Sequence, residues 1–338
     1  MKRMASRSQK ENPFTLVRID RTVRSKEMKV LITSKLTEQQ LKKIESLSGI
    51  LNIVICKSES EVSRSIADAE VVAGWVDGKT LRKAKRLKWL HTFSTGVDSL
   101  ICQRLLRRDT LVTCSKGAHA IPVAEHAVMF MLMLAKHMPF YTRCQQNKKW
   151  KWLHTSELHG RTVGIVGFGY IGREIARLSR GFGMKVIATR RTGSVDLGAD
   201  ALIPIKNLKK LLSSSDFVVA AVPLTKETKG MFREGEFKAM KRGGYFINIA
   251  RGGLVVEKAL VNALKKGWIS GAALDVTEVE PPPPDSELYD LDNLILTPHV
   301  SGGSREAFER SLEIFRENLR RYLSGEPLLN IVDKSICY

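Results

Sequence analysis

No two cysteines of this chain stand at the spacing of a metal site or a redox pair. The five (Cys56, Cys102, Cys114, Cys144 and Cys337) lie far apart, are odd in number and include no CxxC. That argues against a disulfide framework and against a zinc site, so no bound metal is expected, and a cytoplasmic protein in a reducing compartment fits best. Long apolar runs are missing too. The longest of note, Ala127 to Ala135, is nine residues between His126 and Lys136, well short of the ~20 that a membrane-spanning helix needs. Aromatic residues are only 7% of the chain, and no basic run is interleaved with them, which speaks against a stacking platform for nucleic acid. Low-complexity segments are absent, and the 43% hydrophobic and 27% charged fractions are those of a globular protein.

Positive charge is in excess: 55 Lys and Arg stand against 35 Asp and Glu, a formal net charge of +20. The first 27 residues hold eight of the cations and three of the acids, so most of the excess is spread through the body. A dispersed excess describes a solvated surface that suits small anions, and neither a nucleic-acid nor a membrane partner is expected. Residues 1–27 lack apolar periodicity and read as a flexible extension. They have no signal-peptide core, and their three acidic residues weaken a reading as an organellar targeting segment without removing it.

A length of 338 residues predicts two domains. From Lys29 the segments "KVLIT", "NIVIC" and "AEVVAGW" read as strands and "TEQQLKKIESL" as an amphipathic helix, with Thr37 and Gln40 in capping-box positions. Strand and helix alternation through about residue 120 predicts a parallel sheet covered by helices. A long apolar helix is expected over Pro122 to His137. A second series follows from Thr162: "TVGIVG", "KVIATR", "FVVAAVP", "GYFINIA", "GAALDV" and "LILTPH". A last helix, Ser304 to Leu323, carries Phe308, Leu312, Phe315, Leu319 and Tyr322 on one face and must pack on something. The expected class is α/β, two tandem Rossmann-like doubly wound parallel-sheet domains.

The strand "TVGIV" runs into Gly167-Phe168-Gly169-Tyr170-Ile171-Gly172 and then a helical segment, the context that gives a GxGxxG match its meaning. Gly167 allows the tight turn, Gly169 the approach of a pyrophosphate, and Gly172 close helix-to-strand packing, while the helix N-terminus offers N–H donors to the anion. A carboxylate for the ribose 2′-hydroxyl is expected about 20 residues on. Arg190 and Arg191 stand there instead. Guanidinium forks match a 2′-phosphate, so NADP(H) is expected over NAD(H).

Arg251 in "INIARGG", Glu280 in "ALDVTEVEPP" and His299 in "LILTPHVSGG" sit at expected strand ends, where open α/β sheets bind ligands. Together they supply a cation for a carboxylate, an imidazole that exchanges a proton near neutral pH, and a carboxylate to orient it. That combination suits hydride transfer to a 2-oxo acid. The segments "FSTGVD", "VAEHAV", "LHGRTVGIVGFGYIGREIA", "AVPLTKETKGMF", "FINIARGGLV", "ALDVTEVEP" and "LTPHVSGG", in this order, closely resemble the D-isomer-specific 2-hydroxyacid dehydrogenases. That family includes glyoxylate/hydroxypyruvate reductases, phosphoglycerate dehydrogenases and D-lactate dehydrogenases, and the resemblance covers about residues 29 to 325.

The resemblance implies that Arg251 anchors the substrate carboxylate, that His299 is the acid–base and that Glu280 is its partner. It puts Thr95, Gly96 and Val97 at the substrate and Tyr170 and Ile171 over the pyrophosphate. Val222, Pro223 and Thr228 would lie along the cofactor, with Ala250 and Asp275 at its nicotinamide end. It also implies a homodimer and a substrate domain of residues 28–120 plus 301–338, split around a dinucleotide-binding domain of 121–300. Val256, Thr277 and the run Pro281 to Pro284 depart from the family pattern without removing a catalytic group. Glu280 argues against a formate dehydrogenase, a relative that resembles this chain but has an amide there. The leading expectation is NADPH-dependent reduction of hydroxypyruvate or glyoxylate to the D-2-hydroxy acid. A phosphoglycerate dehydrogenase-like enzyme using NAD and a dinucleotide-sensing, corepressor-like protein are the alternatives.

Overall fold

Short β-branched runs bounded by turn residues become the strands of two parallel sheets. The computed structural model describes residues 27–97, 109–190 and 198–334, so the extension expected over 1–27 lies outside it except for Glu27. The first sheet has β1 (Met28–Ile32), β2 (Leu51–Ile55), β3 (Val71–Ala73), β4 (Trp89–Thr92) and β5 (Leu111–Cys114), in the order β2-β1-β3-β4-β5. The second has β6 (Thr162–Val166), β7 (Lys185–Arg190), β8 (Ala201–Pro204), β9 (Phe217–Ala220), β10 (Tyr245–Asn248), β11 (Gly271–Leu274) and β12 (Leu294–Leu296). Its order is β12-β11-β10-β9-β6-β7-β8, with the strand order reversing between β6 and β9. Neighbouring strands pair in parallel throughout both sheets.

Helices α1 (Glu38–Glu45), α2 (Glu59–Ser65) and α3 (Gly78–Leu81) connect strands of the first sheet. Thr37 caps α1 with the reciprocal Gln40 bond that the sequence announces. The apolar helix α4 runs Ala120–Ala135, two residues ahead of its expected start, because Pro122 is tolerated within a first turn whose N–H groups need no partner. Its Ala124, Ala127, Val128, Met131 and Leu134 are buried against Val163, Ile165 and Ile247 of the second sheet. Then come α5 (Met138–Gln146), α6 (Tyr170–Gly181), α7 (Leu208–Ser214), α8 (Glu234–Ala239) and α9 (Glu257–Lys265).

The last helix, α10 (Arg305–Ser324), is capped by Ser304 and returns to the first sheet. Its Leu312, Phe315, Leu319 and Tyr322 complete a core with Val30, Ile32, Trp89 and Phe93, and Trp89 stacks on Tyr322 at 5.3 Å. The following tail runs antiparallel along β5, where Cys114 N–H donates to Asn330 O and Val332 N–H to Val112 O. That covers an edge which would otherwise offer unpaired backbone groups. No helix of the described residues is long and apolar enough to cross a membrane.

Candidate functional site

The glycine-rich turn joins β6 to α6 at the point where strand order reverses. Gly167 has φ +108°, its N–H donates to Thr189 Oγ1 at 3.1 Å, and a Cβ there would lie 2.6 Å from Ala221 O. A Cβ on Gly172 would lie 2.2 Å from Gly167 O, so strand and helix touch through these two glycines. Gly169 has nothing within 4 Å of a Cβ position and caps α6 with no side-chain bond, which leaves the helix N-terminus open to an anion. Phe168 is buried in the core and Ile171 packs against it. Tyr170 is exposed, its ring leaning over Gly117. Arg190 ends β7 beside Pro204 of β8, and Arg191 lies outside the described residues. Val222 and Pro223 follow β9. Thr228 Oγ1 donates to Pro223 O at 2.7 Å and accepts from Thr225 N–H, so this threonine shapes its own loop. The open helix end, the positive-φ glycine and the arginine at the strand end fit a dinucleotide.

Three adjacent strands deliver the remaining groups: Arg251 follows β10, Glu280 follows β11 and His299 follows β12. Asn248, fully buried, donates from Nδ2 to Arg251 O at 2.9 Å and accepts from Ala250 N–H, fixing the turn that carries the arginine. A Cβ on Gly252 would lie 1.9 Å from Thr277 O, so only glycine lets the Arg251 loop lie on the Glu280 loop. Glu280 accepts from Thr277 N–H at 3.2 Å, and its Oε2 lies 2.7 Å from His299 Nδ1. With an ionised carboxylate at that distance Nδ1 carries the proton, which leaves Nε2 for a substrate oxygen.

Asp275 holds the His299 turn. Its carboxylate accepts from Thr297 Oγ1 at 2.6 Å, Val300 N–H at 2.9 Å and Ser301 N–H at 3.0 Å, while its carbonyl accepts from His299 N–H at 2.8 Å. Those bonds keep His299 at φ +54°. Burial pushes the Asp275 carboxyl up, but the bonds from Ser301 and Thr297 outweigh it and hold the group below the ordinary carboxylate range. His126 of α4 closes the network, with Nε2 3.1 Å from Thr297 Oγ1, and burial pushes this imidazole below its ordinary value. A cavity of about 490 Å³ opens beside Glu280 and His299, walled by Pro281, Pro282, Tyr289 and Leu296.

Thr95 and Gly96, half-buried, and Val97, buried, follow β4. Ser94 Oγ donates to Gly96 O at 2.9 Å, while the N–H groups of Gly96 and Val97 donate to no other described residue. Two backbone donors with no acceptor among the described residues suit a carboxylate. Among the described residues no group of three or more His, Cys, Asp or Glu could hold a metal ion. Sequence reasoning missed Thr189, Asn248, Gly252, Thr297 and His126. Asn248, ending an apolar strand, and Thr189, one residue before the end of another, carried a faint signal, whereas the others act through contacts made only on folding.

Residues 128–301 match the family profile described as D-isomer specific 2-hydroxyacid dehydrogenase, NAD binding domain. The chain is 34% identical over 326 residues to a glyoxylate reductase of Pyrococcus furiosus, covering 91% of this chain and 96% of that one. Among solved structures it resembles a D-isomer specific 2-hydroxyacid dehydrogenase family protein of Aeromonas salmonicida, with TM-score 0.80, 30% identity and coverage of 91% and 99%. A second likeness is to an NADPH-dependent glyoxylate/hydroxypyruvate reductase of Sinorhizobium meliloti, solved with NADP and sulfate. There the TM-score is 0.80, with 26% identity and coverage of 92% and 100%.

Proposed function

Because this chain belongs to the D-isomer-specific 2-hydroxyacid dehydrogenases, NAD(P)-dependent oxidoreductases acting on CH–OH groups, we propose that it is an NADPH-preferring reductase of small 2-oxo acids. Hydroxypyruvate and glyoxylate are the proposed substrates. The observation that carries this reading is the 2.7 Å contact of His299 Nδ1 with Glu280, with Arg251 carried at the end of the strand adjacent to that of Glu280. When bound, the nicotinamide supplies the hydride. Residues Gly167 to Gly172 would hold the dinucleotide's pyrophosphate, Arg190 and Arg191 its 2′-phosphate, and Val222, Pro223, Thr228, Ala250 and Asp275 would line its path. Arg251 and the N–H groups of Gly96 and Val97, beside Thr95, bind the substrate carboxylate. His299 Nε2 gives a proton to the substrate oxygen as charge develops there, and Glu280 stabilises the imidazolium before transfer.

The relatives' names and the arginine at the end of β7 support the small substrate and the phosphorylated cofactor. We assign residues 28–120 with 301–338 to the substrate domain and 121–300 to the cofactor domain, and propose a cytoplasmic homodimer. Exposed Ile121, Met129 and Met138 on α4 and α5 suit a subunit interface.

Absorbance loss with NADPH or NADH against hydroxypyruvate, glyoxylate, pyruvate and a bulky aromatic 2-oxo acid tests the reading. Faster turnover with NADPH and the two small acids is expected. Arg190→Ser should raise KM for NADPH about tenfold, the effect of losing about 1.4 kcal/mol, and leave NADH unchanged. Equal use of both cofactors by the unaltered enzyme would overturn the NADPH assignment.

A further inference from the structure

His119 stands just before α4, where the chain first crosses from one sheet to the other. Both ring nitrogens face backbone carbonyl oxygens of distant segments: Nδ1 is 3.0 Å from Gly302 O and Nε2 is 2.8 Å from Phe93 O. Phe93 is two residues ahead of Thr95, and Gly302 is three residues after His299, where the chain crosses back. A Cβ at Gly302 would lie 3.3 Å from Nδ1, so glycine there makes room for the ring. Ser311 of α10 adds to the same knot, with Oγ 3.2 Å from Phe93 O and 3.3 Å from Nε2. Arg310 Nε donates to Ala118 O at 2.8 Å and holds the backbone just before the histidine. A carbonyl oxygen only accepts. Each contact therefore calls for a ring N–H, and the ring is a rigid plane that can present one on each side.

We propose that His119 is a positioning residue for the reaction. By donating to Phe93 O and Gly302 O together it sets the separation between the Thr95–Val97 loop and the turn carrying His299. A carboxylate held by the loop then presents its carbonyl to His299 at reacting distance. His119 touches no reacting atom. The proposal rests on the roles given above to Thr95–Val97 and His299, and it adds the element that keeps them in register across two separately folded sheets. Displacement of about 1 Å costs on the order of 100-fold in rate, which sets the scale of the expected effect.

Phenylalanine fills the ring's place without a donor, and glutamine restores one donor. With hydroxypyruvate and NADPH, His119→Phe should lose about 10- to 100-fold in kcat/KM and His119→Gln less. The dissociation constant for NADPH, read by fluorescence, should stay unchanged in both, because the glycine turn belongs to one sheet. A lowered Tm with unchanged kcat and KM would reduce His119 to a structural role and overturn the proposal. Should neither variant fold, Gly302→Ala decides, because its Cβ would lie 3.3 Å from His119 Nδ1 and press on that contact: a loss of kcat/KM with an unchanged dissociation constant for NADPH is expected, and unchanged kcat/KM overturns the proposal. His299→Ala and Arg251→Ala serve as controls. If they keep activity, the site reading itself fails. If they lose it while His119→Phe behaves as wild type, only the positioning role fails.

Discussion

His91 lies within a chain of hydrogen bonds whose direction is set at one end. Trp89 Nε1 can only donate, so Thr113 Oγ1 accepts from it at 2.8 Å and turns its own proton to His91 Nδ1, also at 2.8 Å. The ring proton then stands on Nε2 toward Ser115 Oγ at 3.3 Å, and Ser115 donates to Thr92 O at 3.2 Å. Every group is satisfied only while the ring is neutral, and burial pushes its pKa from 6.5 down to about 3. Above pH 6.5 folded and unfolded chains both carry a neutral ring, so nothing changes. Below it the unfolded chain binds a proton that the folded chain refuses, and stability falls by roughly 1 kcal/mol per pH unit. Half-buried His126 adds in the same direction. Asp275, held low, keeps its contribution until the pH drops below the ordinary carboxylate range. Tm should therefore hold down to about pH 6.5 and decline from there to pH 5, and His91→Asn should show a shallower slope over that range from a lower starting Tm. Parallel slopes would contradict this account.

The loops after β10 and β11 show what an element needs to become part of a site. Gly252→Ala places a methyl where Thr277 O already sits, 1.9 Å away. The two loops must part, carrying Arg251 from Glu280. A fall in kcat/KM on the order of 100-fold and a stability loss of about 1–3 kcal/mol are expected, read from steady-state kinetics and urea unfolding. Gly49→Ala, with open space at its Cβ, is the control that should change neither. This difference between two glycines is invisible in the sequence, because the colliding atom is 25 residues away along the chain. Strands such as Lys185–Arg190 and helix α10 with its Ser304 cap were legible, since apolar period and boundary residues lie within one window. The glycine turn and the Arg, Glu and His at strand ends were legible for the same reason. The short strand Ala201–Pro204 and the polar helix α2 were not singled out: four residues hold too little period, and "ESEVSRS" has one buried residue to mark a face. His126 and Thr297, 171 residues apart, meet only once α4 lies against the end of β12.

At the scale of the molecule, the positive excess spread over the chain favours the approach of anions such as a dinucleotide and the proposed 2-oxo acids. The two sheets are joined by two crossings, one before α4 and one between His299 and α10. The second crossing makes the first sheet depend on the last long helix, because Leu312, Phe315, Leu319 and Tyr322 close its core. Order of synthesis and order of completion are therefore opposed. The strands that leave the ribosome first wait, with part of one face uncovered, until residues near 322 have emerged, whereas the seven-stranded sheet has all its strands once Leu296 is out. A nascent chain stalled with residues up to 300 exposed should yield a protease-resistant fragment from the later-made half and none from the earlier one. Protection of the N-terminal strands should appear only when α10 clears the tunnel, so the first-translated part of this protein is the last to become a folded object.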